Sequence, residues 1–305
     1  AYTVAVNTPV KWFDERRGLA TGVVAMSYGG LSFLVIPWVR GSVSAAFQQT
    51  AVALGVGTGL AALLGAFVLR DPSSDGEPTS EGDVEADGGD ADEESAFGDE
   101  RAWTWRESVR TWQFWLLYVV FAVVNGVGLM VIGKVVSFAS QLSLPAAAGT
   151  AAASLVALAD AGGVLVGGAA SDRFGRRRTV AASLVLSGVA LAVAVAAGNA
   201  GLAAGFVAAV AAAAFFRSPA FAVFPTLVAA YYGRSFSSEN FAALYTSKLF
   251  GGVFGGTAAS ALVVTLGWSR SFLLGAVLVA AAGVALAFLR PVTADQAPGG
   301  RQPQR

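Results

Sequence analysis

Long apolar stretches alternate with short polar connections over most of the chain. A helix needs about 20 apolar residues to cross the hydrocarbon core of a bilayer, and eight stretches reach that length with few or no internal charges. The predicted spans are 19–40, 43–69, 112–139, 146–170, 180–199, 203–230, 241–266 and 271–290. Ala, Val, Leu, Gly and Phe at these lengths favour helices over the ten-residue alternation of a membrane β-barrel. The pattern therefore predicts an all-α integral membrane protein.

Basic residues fall mainly on alternate connections between these spans. Fifteen of the 20 Lys and Arg residues lie on one side, whereas the other side has Arg40 and Arg270. The remaining three, Lys134, Arg217 and Lys248, lie inside predicted spans. Because basic residues accumulate on the cytoplasmic side, we predict a multi-pass protein of the plasma membrane, with its acidic linker and its C-terminus in the cytoplasm.

Composition narrows the functional classes. The 305 residues are 55% hydrophobic and 13% charged, against about 25% charged residues in an average soluble domain. The chain has no cysteine and no histidine, which excludes disulfides, thiolate nucleophiles, imidazole bases and most zinc or iron sites. We therefore predict that the protein is not an enzyme and needs no cofactor or metal. With 20 basic and 20 acidic residues, net charge gives no reason to expect a nucleic-acid partner.

One segment differs from the rest in composition. Between residues 71 and 100 the chain has 13 of its 20 acidic residues, many Gly, Ser and Pro, and no Lys or Arg. Such a segment buries too little apolar surface to offset its chain entropy. We predict a disordered cytoplasmic linker over 70–111, ending in the interfacial sequence RAWTWRESVRTW, and a cytoplasmic tail over 291–305. The alternative, a regulatory or metal-binding tail, stays open.

A charged motif stands in a short connection between two spans. The sequence GAASDRFGRRRT covers residues 168–179. Gly168 allows close helix approach, Gly175 permits a tight turn, and Asp172 can face the positive end of a neighbouring helix. The arginines can bind carboxylates or lipid phosphates, or can simply follow the positive-inside rule. The motif residues are Gly168, Asp172, Arg173, Gly175, Arg176 and Arg177.

This spacing resembles the cytoplasmic loop motif of the major facilitator superfamily. The resemblance implies a major facilitator-type bundle with a partial N-terminal half and a complete six-helix C-terminal half. Residues 1–69 then correspond to the end of helix four and to helices five and six, and 112–290 to helices seven to twelve. Because the chain opens with Ala1, we expect the first helices of the complete protein to precede it. We expect that protein to be a monomer in the lipid bilayer.

Three further stretches resemble one branch of the superfamily, the oxalate/formate antiporters. They are KWFDERRGLATG at 11–22, NGVGLMVIGK at 125–134 and FPTLVAAYYG at 224–233. The resemblance implies substrate-binding charges on helices eight and eleven. Lys248, in YTSKLFGG, matches the lysine position, whereas Val164 stands where the arginine would fall. Asp160 resembles the helix-eight aspartate of monocarboxylate transporters, whose paired arginine would also be at Val164.

Ionisable groups inside spans give an independent indication of function. Each costs about 2.5 to 3.5 kcal/mol on insertion scales, so such groups usually face a cavity or one another. Asp160, Arg217 and Lys248 lie near mid-depth, Lys134 lies near the outer end, and Tyr245 lies one turn from Lys248. We predict that these five residues bind a small organic anion, with Asp160 orienting the cations or carrying a coupling proton. Alternatively Asp160 neutralises Arg217 or Lys248, Lys134 extends to the surface, and Tyr245 only packs.

The function that fits these features is secondary active transport of a small organic anion, a mono- or dicarboxylate, by alternating access. Two alternatives remain at this point. One is a drug or cation exporter of the same fold, in which the charges are structural. The other is a membrane sensor or scaffold that does not transport.

Overall fold

Helices make up nearly all of the described chain. The structure, a computed structural model, describes residues 5–9, 16–68 and 103–290, without the side chains of residues 17, 28–46, 67 and 68. Most of the predicted linker, up to residue 102, and the predicted tail over 291–305 lie outside the described residues. Residues 5–9 form one helical turn. The elements that follow are α1 (Arg17–Val68), α2 (Trp105–Ser108), α3 (Trp112–Gln141), α4 (Ala146–Phe174), α5 (Arg176–Asn199), α6 (Ala203–Arg217), α7 (Pro219–Tyr232), α8 (Ser237–Tyr245), α9 (Ser247–Val253), a π-helical turn (Phe254–Ala258), α10 (Ala259–Leu266) and α11 (Trp268–Ala287).

The helices confirm the predicted all-α membrane fold. Seven helical stretches of the described residues are long and apolar enough to cross a bilayer. Six of them match the predicted spans from residue 112 onwards, with α6 and α7 forming one span and α8 to α10 another. The first two predicted spans, 19–40 and 43–69, are instead one continuous helix, α1. The predicted connection at 41–42 contains no proline and a single glycine, so helical hydrogen bonding continues through it.

Turns between the spans use local signals that the sequence supplies. Thr111 caps α3 by accepting a hydrogen bond from the backbone N–H of Phe114 at 3.4 Å. Gly175, Gly233 and Gly267 end α4, α7 and α10, with φ values of 85°, 86° and 82°. A side chain at such φ values is strained, so glycine allows the chain to reverse there within very few residues. These turns hold successive spans antiparallel.

The packing of the bundle centres on α4. This helix contacts α1, α3, α6 and α7, while α5 packs along α6 and α11. Phe121, Phe138, Phe206, Phe224 and Phe272 are fully buried between the helices. The α4–α5 loop with its arginines marks one end of the bundle, called here the arginine end. The α10–α11 turn at Gly267 lies at the opposite end.

Four glycines in α9 and the π-helical turn fall into two sets with different surroundings. Gly251 and Gly255 face α3, where a Cβ at Gly251 would lie 2.8 Å from the Asn125 Cβ and one at Gly255 2.7 Å from the Gly126 carbonyl oxygen. Gly252 and Gly256 have no described atom within 4 Å of the corresponding position. One set therefore permits close helix packing, and the other leaves a face of the helix open.

The two sets supply a matched test of this packing. Gly251→Ala should destabilise the protein by about 1 to 3 kcal/mol, because the methyl group overfills the contact with α3. Gly252→Ala should be neutral or stabilise by up to about 1 kcal/mol, since alanine is the better helix former and meets open space. Thermal unfolding midpoints in detergent measure both. Equal effects of the two substitutions would contradict the assigned packing.

Candidate functional site

Lys248 lies in the first turn of α9, just after the helix break at Thr246. Its side chain is half-buried, and its ammonium group donates a hydrogen bond to the Tyr245 hydroxyl at 2.9 Å. The same ammonium nitrogen is 4.9 Å from the centroid of the Tyr245 ring, a cation–π distance. Among the residues that the structure describes, Lys248 pairs with no carboxylate. The sequence prediction that Tyr245 lies beside Lys248 on one face is thus confirmed.

Aromatic rings of the core contact the Tyr245 ring. The ring contacts Phe241 at a centroid distance of 5.7 Å and Phe121 at 6.0 Å. Phe121 in turn contacts Phe221 and Phe224 on α7. Such offset and edge contacts fix ring orientation, so the Tyr245 hydroxyl and the Lys248 ammonium are held in place by the core.

Arg217 and Asp160 form an ion pair inside the bundle. The Arg217 Nη2 lies 2.7 Å from the Asp160 Oδ1, and the side chains are 8% and 25% exposed. The Ser218 hydroxyl is hydrogen-bonded to the same carboxylate oxygen. Arg217 ends α6 and Ser218 occupies the break before Pro219, so this interruption brings both donors to α4. Of the two arrangements left open by the sequence, the structure has Asp160 neutralising Arg217.

The surroundings of Arg217 leave little space. Its guanidinium carbon is 5.4 Å from the centroid of Phe221, and a Cβ at Gly128 would lie 2.5 Å from its Nη1. A cavity of about 10 Å³ lies beside it, lined by residues that include Val131, Val156 and Ser187. A single water molecule needs about that volume. In this conformation Arg217 is therefore held by protein groups and has no room for a carboxylate ligand.

Lys134 lies on α3, well towards the end opposite the arginines. Its ammonium group donates to the Ser260 hydroxyl on α10 at 2.8 Å. Ser260 donates in turn to the Gly256 carbonyl oxygen at 2.9 Å. In the structure Lys134 is therefore hydrogen-bonded to a neighbouring helix. The alternative from the sequence was a side chain that extends to the membrane surface.

The charged loop motif has the contacts that its spacing predicts. Both carboxylate oxygens of Asp172 accept backbone N–H groups at the start of α1, from Gly18 at 2.7 Å and from Leu19 at 2.9 Å. These N–H groups are the positive end of that helix. A Cβ at Gly168 would overlap the Gly18 carbonyl group, and Gly175 has the positive φ of a tight turn. The close approach at Gly168, the helix contact of Asp172 and the turn at Gly175 are thus present in the structure.

The arginines of the motif have separate partners. Arg177 Nη1 donates to the Leu289 carbonyl oxygen at 2.6 Å, just beyond the C-terminus of α11. There it satisfies a carbonyl group at the negative end of the helix. The guanidinium of Arg173 is 5.6 Å from the centroid of the Phe174 ring. Arg176 begins α5.

A family model described as Major Facilitator Superfamily matches residues 130–305, more than half of the chain. The chain belongs to the major facilitator superfamily. It is 28% identical over 281 residues to the oxalate:formate antiporter of Oxalobacter formigenes, covering 90% of this chain and 62% of that protein. It is 30% identical over 249 residues to the uncharacterized MFS-type transporter YhjX of Escherichia coli K12, covering 80% and 57%. It is also 28% identical to an uncharacterized 38 kDa protein of Thermoproteus tenax, covering 99% and 70%.

These comparisons also give the extent of the match. The chain spans about three fifths of the length of the first two relatives. The capping of α1 by Asp172 is consistent with this membership, because Asp172 belongs to the loop motif that resembles the motif of the superfamily. The membership supports a transport protein and gives no support to an enzyme.

Two hydroxyl groups that are hydrogen-bonded to the charged side chains are not among the residues predicted from the sequence. Ser218 shares the Asp160 carboxylate with Arg217, and its signal is the Ser-Pro pair that interrupts the predicted span 203–230. Ser260 holds Lys134, and it stands four residues after Gly256 and eight after Gly252. The sequence shows that Lys248, Gly252, Gly256 and Ser260 recur every four residues. This periodicity does not indicate which side chain of another helix contacts Ser260.

The cap on α1 can be tested in the loop itself. Asp172→Asn should destabilise the protein by about 1 to 3 kcal/mol, because two charge-assisted hydrogen bonds to the helix N-terminus are weakened. Arg173→Gln, the control in the same loop, should change stability by less than about 0.5 kcal/mol. Unfolding midpoints of purified protein measure both variants. A loss in the control as large as that in Asp172→Asn would argue against the cap.

Proposed function

We propose that this protein is a secondary active transporter that moves a small organic anion, a mono- or dicarboxylate, by alternating access. The observation that carries the proposal is Lys248, a half-buried cation with no carboxylate partner among the described residues. The similarity to an oxalate:formate antiporter supports the same class of substrate. The proposed setting is the plasma membrane, with the linker and C-terminus in the cytoplasm.

The chemistry of Lys248 favours a carboxylate ligand. Its ammonium group has three donors, and Tyr245 accepts from one of them. In a low-dielectric bundle an uncompensated cation attracts a counter-ion strongly. A substrate carboxylate supplies both the charge and the acceptors through charge-assisted hydrogen bonds. Tyr245, fixed by its aromatic neighbours, positions the ammonium group for this contact.

The ion pair of Arg217 and Asp160 fits a role in coupling. While Asp160 is ionised, it holds Arg217 at 2.7 Å and keeps that cation from any other anion. Protonation of Asp160 removes the counter-charge of Arg217. Arg217 can then bind the second carboxylate group of a dicarboxylate whose first group is bound by Lys248. Proton and anion would then bind together, with Lys248 as the permanent contact and Arg217 as the conditional one.

Alternating access needs contacts that break and re-form between helices. The cap of Asp172 on the start of α1 is such a contact, because two hydrogen bonds at the very end of a helix can be lost without unfolding it. Gly18 and Gly168 let α1 and α4 approach closely at the same place. We propose that this cap is formed in one state of the cycle and released in the other.

Substitution of the unpaired lysine tests the proposal directly. Lys248→Ala should abolish uptake of labelled carboxylates into vesicles that contain the whole protein, because the permanent cationic contact is gone. Lys248→Arg keeps the charge and should retain part of the activity. Size-exclusion chromatography in detergent checks that each variant is folded. Unimpaired uptake by folded Lys248→Ala would rule out this assignment.

Asp160 is tested by its effect on coupling. Asp160→Asn should allow carboxylate exchange to continue while accumulation driven by a proton gradient is lost, since an amide carries no titrating proton. The substitution also leaves a buried guanidinium unpaired, which costs about 3 to 5 kcal/mol. The double variant Asp160→Asn with Arg217→Gln removes both charges and controls for that loss. Proton-driven accumulation that persists in folded Asp160→Asn would exclude Asp160 as the proton carrier.

A further inference from the structure

Lys134 is a second cation inside a predicted span, and it lies on a different helix from Lys248. Lys134 donates to the Ser260 hydroxyl, and no carboxylate among the described residues pairs with it. Ser260 already donates its proton to the Gly256 carbonyl group, so towards Lys134 it acts only as an acceptor. Two of the three ammonium donors of Lys134 therefore remain for another acceptor.

The two lysines are connected by one face of the broken helix that runs from α8 to α10. Lys248, Gly252, Gly256 and Ser260 follow one another at four-residue spacing, so each lies close to the face of the one before. The π-helical turn at Phe254–Ala258 has more residues per turn and reduces the rotation that an α-helix would accumulate over these positions. Positions that a Cβ would take at Gly252 and Gly256 meet no described atom within 4 Å. Gly133, next to Lys134 on α3, is equally open. Among the described residues, no side chain therefore contacts the glycine positions between the two cations.

The distance between the two cations determines whether one ligand can contact both. Twelve residues of helix correspond to about 18 Å at 1.5 Å per residue. A small mono- or dicarboxylate is much shorter than that, so it cannot be held by the Lys248 end and the Ser260 end at once. The π-helical turn lies between them, and such turns are frequent at functional sites.

We propose that Lys134, anchored by Ser260, forms a second anion-binding site at the end opposite the arginines, which captures the carboxylate before it reaches Lys248. This inference rests on the proposed transport function and adds an entry site to it. The free ammonium donors form charge-assisted hydrogen bonds with the carboxylate. A cation at this position also raises the local concentration of anions and their rate of binding. The glycine positions between Ser260 and Lys248 meet no described atom, so the carboxylate moves along this face from one lysine to the other.

Transport kinetics measured separately from the two membrane faces test this site. In vesicles that contain the whole protein in one orientation, Lys134→Ala should raise the KM for a labelled carboxylate about tenfold at the face opposite the arginines. The kcat at that face and the KM at the arginine face should stay within about twofold. The kcat from the arginine face should fall about tenfold, because microscopic reversibility requires kcat/KM to change by the same factor in both directions. Ser260→Ala, which removes the anchor and keeps the charge, should raise the same KM about two- to fivefold.

Two controls separate capture from general attraction. Lys134→Arg keeps a cation at the position and should leave the KM within about threefold of the original value. Arg270→Ala removes an exposed cation near the same end of the bundle, in the first turn of α11. It should leave the KM unchanged. A rise in KM with Arg270→Ala equal to that with Lys134→Ala would overturn the second site.

The outcome distinguishes this inference from the proposed function. If Lys248→Ala abolishes transport and folded Lys134→Ala leaves both KM values unchanged, the entry site is wrong and the transport function stands. If Lys134→Ala raises the KM equally at both faces, Lys134 belongs to the main site and a separate entry site is excluded. If the unaltered protein transports no carboxylate, both are overturned.

Discussion

A charge inside an apolar bundle must be compensated, and this constraint organises the centre of the protein. An ionised side chain at the middle of a membrane helix costs about 2.5 to 3.5 kcal/mol on insertion scales. Arg217 meets that requirement within the protein, through Asp160 and the face of Phe221. Lys248 meets it only partly, through the hydroxyl group and ring of Tyr245. The two cations therefore differ in how far protein groups compensate their charge, and this difference is the basis of the roles proposed for them.

Interruptions in the helices place these groups. Arg217 and Ser218 reach Asp160 together because α6 ends between them and α7 begins at Pro219, which has no N–H to continue the hydrogen-bond ladder. Lys248 follows the break at Thr246, and the π-helical turn separates it from Ser260. In a membrane such irregular backbone is tolerated where it is buried in protein or lines a cavity. The helix interruptions therefore lie beside the ionisable residues Arg217 and Lys248.

Much of this arrangement follows from the sequence. Apolar length fixed the six spans from residue 112 onwards, and the spacing of the loop motif predicted the cap by Asp172 and the turn at Gly175. Length alone failed at residues 41–42, because nothing in that short segment stops a helix, and the two predicted spans are one helix. The partner of Asp160 stayed open because periodicity gives the face on which a residue lies, whereas pairing depends on how helices pack. Arg217 is 57 positions further along the chain, and only the three-dimensional arrangement selects it over Lys248.

In the proposed transporter, charge balance relates the proton to the valence of the substrate. With Asp160 ionised, the charges of Asp160, Arg217 and Lys248 sum to +1, which a monoanion neutralises. Once Asp160 takes up a proton, the same sum is two positive charges and matches a dianion. Because the hydrocarbon surroundings penalise any residual charge, each protonation state favours the anion that balances it. The proposed coupling then needs no further group, since the protonation state of Asp160 in the ion pair sets how many negative charges the bound substrate must carry.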